Sequence, residues 1–363
     1  MKGIRPFGES DVSSVIALHC DAFGNPRPAS EAADAEYRRW LTTVFLENPM
    51  RTRGLESIVF EDEGKIIGFL GIVARRLRLH GTVYRASVCS NFCVHPERRE
   101  GIGSHLLSHY RSMDQDAAFV DEVHDRAGAL FGRCGWNISS LQSIRWVMPL
   151  RPAERALTTL HHRIPALLAR AARPASQLVD GALRILPRSP FRLAESALSR
   201  QQLTPEGLAR LIDEFGDSHT LRPVTDDGST VWLIDRARGM TDAGDLQAIS
   251  VADARGDVVG WYVYYAKRGA QSEVLQLVAT RDAAGGVLGD LARHADDRGA
   301  VSLSGTLHPS FLPHLAARRA SLDSASGSRW MLVHSRVPAI MEAFWRGDLL
   351  TSRLDGEWCH HLR

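Results

Sequence analysis

The run YRASVCSNFCVHPERREGIGSHLLSHY, Tyr84–Tyr110, changes character twice along its length. Its first part, Ala86–Val94, alternates loosely and is rich in small and β-branched residues, the pattern of a buried strand. Pro96 ends that strand, because it has no N–H for a sheet ladder. Arg98 and Arg99 follow, then Gly101-Ile102-Gly103. Beyond them Ile102, Leu106, Leu107 and Tyr110 recur at helical spacing and give one apolar face. The order is strand, basic loop, glycine turn, helix. A turn of this kind suits an anion. The first helical turn offers unpaired N–H groups and the positive end of the helix dipole. Glycines let a phosphate approach the backbone, and two arginines add charge.

Two phosphate loops are excluded. A dinucleotide G-x-G-x-x-G needs glycine where Leu106 stands, and a P-loop needs Gly-Lys-Ser/Thr where the chain has Gly103-Ser104-His105. The run Arg98-x-x-Gly101-x-Gly103, after a strand ending Val94-x-Pro96, resembles the acetyl-CoA pyrophosphate motif of the GNAT N-acetyltransferase superfamily. The resemblance implies acetyl-CoA as acyl-donor cosubstrate. It would be held by Phe92, Cys93, Val94, Arg98, Arg99, Glu100, Gly101, Ile102, Gly103 and Ser104.

The flanks read in keeping with it. A short strand at Ile4–Pro6 leads to a helix capped by Ser10 or Asp11. A second helix runs from about Ser30 to Leu46. A hairpin joins Ser57–Glu61 to Lys65–Ala74 through Asp62-Glu63-Gly64. After the glycine turn come a strand at Ala117–Val123, a helix at Asp125–Cys134 ended by Gly135, and a strand at Gln142–Pro149. The run from His124 through Ala127, Leu130 and Phe131 to Gly135-Trp136 resembles the superfamily's second signature. It departs from it twice. His124 stands where Asn is usual, and Phe131 replaces the Tyr that often protonates the departing sulfur. The resemblance adds His124 and Phe131 to the coenzyme contacts.

The whole chain has 363 residues, 44% hydrophobic and 24% charged, with a net charge of +2. That is ordinary for a globular protein and gives no general pull toward nucleic acid, which is not expected as a partner. No apolar run is long enough to span a bilayer, and MKGIRPFGESDV lacks a signal-peptide core. Cys20, Cys89, Cys93, Cys134 and Cys359 show no metal spacing and fit a reducing, cytoplasmic setting. His105 and His109 lie one helical turn apart without an acidic third ligand, so no metal is expected.

Residues 151–193 carry eight arginines, two acids and no lysine. Leu157, Leu160, Ile164, Leu167, Leu168, Leu178, Val179, Leu183 and Leu186 give helical spacing, interrupted by Pro165 and Pro174. One reading is a helical linker packed on a domain, which the prolines favour. The other is peripheral contact with an anionic membrane.

The rest repeats the first domain weakly. After a Pro205-led helix, Ser250–Trp261 lines up with Ile58–Phe69, and Gly260-Trp261 matches Gly68-Phe69. Strand, loop, helix and strand follow at Glu273–Ala279, Thr280–Gly286, to Ala295, and Val301–Leu307. The second loop, Arg281–Gly286, lacks Pro and paired basic residues, and Asp282 would repel a pyrophosphate. In architecture this resembles tandem GNAT proteins with one degenerate copy: mycothiol synthase, Eis-type enzymes and FemX-type aminoacyltransferases. The expected fold is α/β (α+β). It has two GNAT-like domains, each a mixed, mostly antiparallel twisted sheet flanked by helices. The first spans 1–150, a basic helical linker 151–200, and the degenerate copy 201–363. Leu354–Trp358 reads as an edge strand, with the lining of a polar cleft as its second reading.

The function implied is transfer of an acetyl group to a small-molecule primary amine, with an amino sugar or envelope precursor as one acceptor class. The alternatives are a non-catalytic acyl-CoA-binding protein and a FemX-like aminoacyltransferase. An alkylamine with a pKa of about 10 must lose a proton before attack. Glu122, His124 and Asn91, the last with Ser90 as a water holder, are the catalytic candidates. Trp40, Glu47 and Asn48 are placed on the acceptor side by analogy.

Overall fold

A computed structural model describes residues 2–160, 166–193, 196–215, 220–324, 329–350 and 352–360. The strands are β1 (Lys2–Pro6), β2 (Ile58–Asp62), β3 (Lys65–Leu79), β4 (Thr82–Val94), β5 (Ala117–Val123), β6 (Asn137–Ile138), β7 (Ile144–Pro149), β8 (Ser199–Gln202), β9 (Leu221–Pro223), β10 (Asp245–Ala252), β11 (Val258–Ala266), β12 (Gln271–Ala279), β13 (Ser302–Thr306), β14 (Ser321–Ser324) and β15 (Trp330–Ser335). The helices are α1 (Val12–Phe23), α2 (Glu31–Phe45), α3 (Ile102–Ser112), α4 (Asp125–Arg133), α5 (Ser140–Ser143), α6 (Pro152–Leu160), α7 (Ala166–Ile185), α8 (Pro205–Glu214), α9 (Asp227–Gly239), α10 (Ala284–Asp297), α11 (Leu312–Ala317) and α12 (Pro338–Arg346).

These elements form two compact units. The first holds Met1–Ser140, Leu208–Arg236 and Ser326–Arg363; the second holds Leu141–Gly207 and Ala237–Ala325. The units do not follow the linear boundaries at 150 and 200. Strand β7, expected to finish the first sheet, instead pairs with β13 and β14 in the second. In return β15 enters the first sheet between β5 and β6.

The first unit's sheet runs β1-β2-β3-β4-β5-β15-β6, with β9 on β3. Among its described strands only β4 and β5 form a parallel ladder, beside an isolated parallel bridge from Leu221 to Leu349. Its strands are apolar on both faces because both are covered. Along β3, Leu70, Ile72 and Ala74 pack with Leu106, Leu107 and Tyr110 of α3. The alternate residues Phe69 and Val73 pack with Val15 and Leu18 of α1 and Leu41 and Val44 of α2. Ser30 caps α2, its Oγ accepting from the Ala33 amide at 3.2 Å. Gly68 of β3 lies directly under α3, and a Cβ there would come within 2.9 Å of Leu106.

The second unit's sheet runs β14-β7-β13-β12-β11-β10-β8, with β12 and β13 parallel. Its core joins Trp146, Tyr262 and Tyr264 to Val287, Leu288 and Leu291 of α10. Gly260 sits beneath α10 as Gly68 sits beneath α3; a Cβ there would come within 3.0 Å of Val287. The expected interruption of the basic segment at Pro174 does not occur, since Pro174 lies within α7. Ile164 and Pro165 lie outside the described residues. The expected edge strand at Leu354–Trp358 is also absent. The chain turns there instead, with a short 3-10 turn over Glu357–His360.

Candidate active site

Strands β4 and β5 pair over three positions only, Ala86–Val88 against Ala117–Phe119. Beyond them β4 continues to Val94 and β5 to Val123 with no pairing between the two. A wedge opens inside the sheet at that point. On its other side β4 carries a bulge. Phe69 pairs with Cys93 and Gly71 with Ser90, so Asn91 and Phe92 together oppose Leu70. Asn91 takes φ +53°, a left-handed conformation that Asn tolerates better than most side chains. A bulge leaves ladder groups unpaired and re-aims them, here at the mouth of the wedge.

The basic turn follows directly. Gly101 caps α3 with φ +76°, and no atom would approach a Cβ there. Its backbone angle alone demands glycine. Gly103 is glycine for a different reason, because a Cβ would lie 3.0 Å from Leu130 and 3.3 Å from Phe92. Arg98, Arg99 and Glu100 are exposed around this turn. The amides of Ile102, Gly103 and Ser104 begin the helix and have no carbonyl within it to meet.

A cavity of about 680 Å³ opens on the wedge. Its walls include His19, Phe23, Glu36, Tyr37 and Trp40 from α1 and α2, Asn91 and Phe92 from β4, Glu122 from β5, His124 and Phe131 at α4, and Glu357. Aromatic rings line one side, with centroids 5.9 Å apart for His19–Trp40 and 5.4 Å for Tyr37–Trp40. Three glutamates and no lysine or arginine appear among the lining residues. Burial pushes His19 down to about 4, so it is neutral at pH 7, and pushes the Tyr37 hydroxyl up.

Residues 3–138 match the family model of a GNAT acetyltransferase domain. This stretch is a GNAT domain. Solved structures agree at the level of fold. A GCN5-related N-acetyltransferase from Anabaena variabilis superposes with a TM-score of 0.59 and 12% identity over 92% of this chain and 72% of its own. One from Kribbella flavida gives 0.54 and 16%, over 92% and 70%. No curated protein matches the chain significantly.

In the GNAT domain the sequence-named residues divide into groups. Trp40, Asn91, Phe92, Glu122, His124 and Phe131 meet around the cavity. Glu47 and Asn48 are not among its lining residues. Glu47 is exposed, and Asn48 is buried with its Nδ2 donating to the Val44 carbonyl at 2.7 Å. Cys93 and Val94 are buried in the cores on opposite sides of the sheet, which leaves only their backbone for a ligand. His105 and His109 are exposed on α3, and no cluster able to hold a metal occurs among the described residues.

The residues missed by sequence reasoning come from two places. Glu36 and Tyr37 lie one helical turn before Trp40, so helical spacing from Trp40 leads to them. In the C-terminal segment only the second reading of Leu354–Trp358, the lining of a polar cleft, points here. Its Glu357 lines the cavity, and Glu357 Oε2 accepts from the Glu122 amide at 3.2 Å. The His360 carbonyl accepts from Trp40 Nε1 at 3.0 Å and Asn91 Nδ2 at 3.3 Å. The Arg353 guanidinium pairs with the Glu122 carboxylate. Gly356 presses on Asp121 where no side chain would fit, and the Glu357 amide donates to Asp121 Oδ1 at 2.7 Å.

Proposed function

We propose that this chain is an N-acyltransferase that moves an acetyl group from acetyl-CoA to a primary amine by direct attack. The observation that carries this reading is the wedge between β4 and β5, with the Asn91 bulge at its mouth and the Gly101-capped, arginine-flanked helix just beyond. The turn suits the pyrophosphate, and the wedge suits the pantetheine arm. The amine gives up a proton to a basic group of the cavity. Its lone pair then attacks the thioester carbonyl carbon. A backbone N–H released by the bulge stabilises the oxyanion. The C–S bond breaks, and the thiolate leaves and takes up a proton. Phe131 supplies no acid for that step, but a thiol of pKa about 8.5 leaves tolerably without one.

The choice of base is narrowed by pairing. The Glu122 carboxylate is engaged by the Arg353 guanidinium rather than turned to a substrate alone. His124 stays exposed at the cavity rim, and the tail adds Glu357. A cavity lined by glutamates and aromatic rings favours a neutral or cationic acceptor over a phosphorylated one. An unphosphorylated amino sugar or amine-bearing envelope precursor fits, as does a polyamine. A cytoplasmic setting belongs to the same proposal, supported by free thiols at Cys20, Cys89, Cys93 and Cys134. No helix among the described residues is long and apolar enough to cross a membrane.

We also read the second unit as a degenerate GNAT copy. Its parallel pair β12 and β13 covers three positions, Gln271–Glu273 with Ser302–Ser304, as β4 and β5 do. The first turn of α10 is filled, since a Cβ on Gly285 would lie 2.7 Å from His314.

The test is a thermal-unfolding shift with acetyl-CoA. Ligand at about a hundredfold over its dissociation constant adds about 2.7 kcal/mol of stability. Wild type should shift, and Arg98→Glu and Gly103→Glu should not. Arg98 is exposed, so its variant folds regardless of packing. No shift in wild type overturns the reading. A shift without CoA release on any amine favours instead a non-catalytic acyl-CoA binder, the reading that Phe131 motivates. RNA retained on purification would favour a FemX-like transferase.

A further inference from the structure

Helix α7 carries its polarity the wrong way round for a surface helix. Its buried positions are polar, with Ser176 at 7% exposure and Asp180 at 4%. Asp180 accepts from the amides of Ala153 and Glu154 at 2.8 and 3.0 Å and so closes the N-terminus of α6. Arg184 pairs with Asp296 of α10, and Arg151 shares that carboxylate. The outward positions are apolar instead. Leu168, Leu178, Val179 and Ile185 are 60%, 76%, 50% and 80% exposed, and Leu186, just past the helix, is 53% exposed. At 3.6 residues per turn the four helical positions fall within an arc of about 120°. Four of the exposed large hydrophobics among the described residues thus gather on one helix face, with Leu186 beside its end. A soluble surface rarely leaves such a patch open to water.

Charge decides what covers it. Residues 151–193 hold eight arginines, no lysine and two acids. Both acids, Glu154 and Asp180, are buried. Arg173, Arg188 and Arg192 are exposed, the last two just after Ile185 and Leu186. Every outward charge among the described residues of this segment is therefore positive. Two copies laid together would set arginine against arginine. An anionic bilayer surface answers both features at once, taking the apolar side chains into the acyl boundary and pairing the arginines with headgroups. The helix has 20 residues, about 30 Å, enough to lie along such a surface without crossing it.

We propose that α7 is an interfacial helix that docks this protein on an anionic membrane. The inference is independent of the acyl-transfer reading. The full chain is sedimented with phosphatidylcholine vesicles, with and without phosphatidylglycerol, at low and high salt. Binding should require phosphatidylglycerol and weaken with salt. The double variant Leu178→Glu, Ile185→Glu should bind at least roughly tenfold more weakly. Both positions point to solvent, so its thermal midpoint should match wild type. Arg188→Glu with Arg192→Glu should remove the salt-sensitive part. Equal binding to both vesicle types, or none to either, overturns the proposal. So does a concentration-dependent dimer, seen by light scattering, that the Leu178→Glu, Ile185→Glu variant dissociates, since a second copy would then be the occupant.

Discussion

The carboxylate of Glu122, in the part of β5 that has parted from β4, is ion-paired with Arg353 of the C-terminal segment; their side chains are 17% and 4% exposed. The pair ties the last stretch of the chain to the wall of the cavity. Taking one partner away leaves a charge in a poorly solvated place, which costs more than the pair itself is worth. Arg353→Met should destabilise the protein by about 3 kcal/mol in urea unfolding. Adding Glu122→Gln should recover a large part of that loss. Additive effects would show that the two groups do not depend on each other.

Glu357 enters the cavity beside the Glu122 amide. Glu357→Gln keeps the shape and removes the proton-accepting power. Turnover with the best amine should fall by about a hundredfold, with KM for acetyl-CoA nearly unchanged. The acidic limb of the kcat profile, where a general base becomes protonated, should move with it. An unaltered pH profile would assign Glu357 to packing and return the base role to His124.

His19 titrates near 4 in the folded protein because burial disfavours its charged form. In the unfolded chain it takes up its proton near 6.5. Between these values the unfolded state binds more protons, so stability is complete above about pH 6.5 and declines as pH falls toward 4. The loss amounts to about 3 kcal/mol. His294, also held near 4 mainly by burial, acts in the same direction. Urea midpoints from pH 7.5 down to 4.5 (roughly the span of the two histidine values) should show this slope, and His19→Gln should remove about half of it.

Gly101 adopts φ +76° in open space. Gly101→Ala should cost about 1 kcal/mol through backbone strain alone, and Gly101→Asn less. Equal stability of all three proteins would mean that the turn relaxes when no ligand is bound.

The strand, turn and helix around Val94, Gly101 and Leu106 were legible because each rests on local pattern: alternation, a proline stop, helical spacing. Glu122 was named from its place at a strand end, whereas Trp40 came from analogy with the family; both line the cavity. Glu47 and Asn48 were misplaced because they follow α2 rather than lie on its inward face. The exchange of β7 and β15 left no trace in local pattern, since an apolar strand reads alike in either sheet. In the tail, the acidic run Leu354–Trp358 allowed a cleft-lining reading but did not say which cleft. Arg353, Glu357 and His360 are bonded to residues 231 to 320 positions away, and nothing within a short window encodes that.

The placing of β15 bears on how the chain comes into being. When β5 has left the ribosome, its outer edge has no partner until Trp330, 207 residues later in sequence. At 5 to 20 residues per second that delay is about 10 to 40 s. Throughout it, a hydrophobic strand edge stands open in the nascent protein, a template for mispairing with other chains. The first unit cannot close until Trp330–Ser335 has been made, so a fragment ending near residue 150 should aggregate rather than fold. Holdase chaperones are the factors its biosynthesis would call on first.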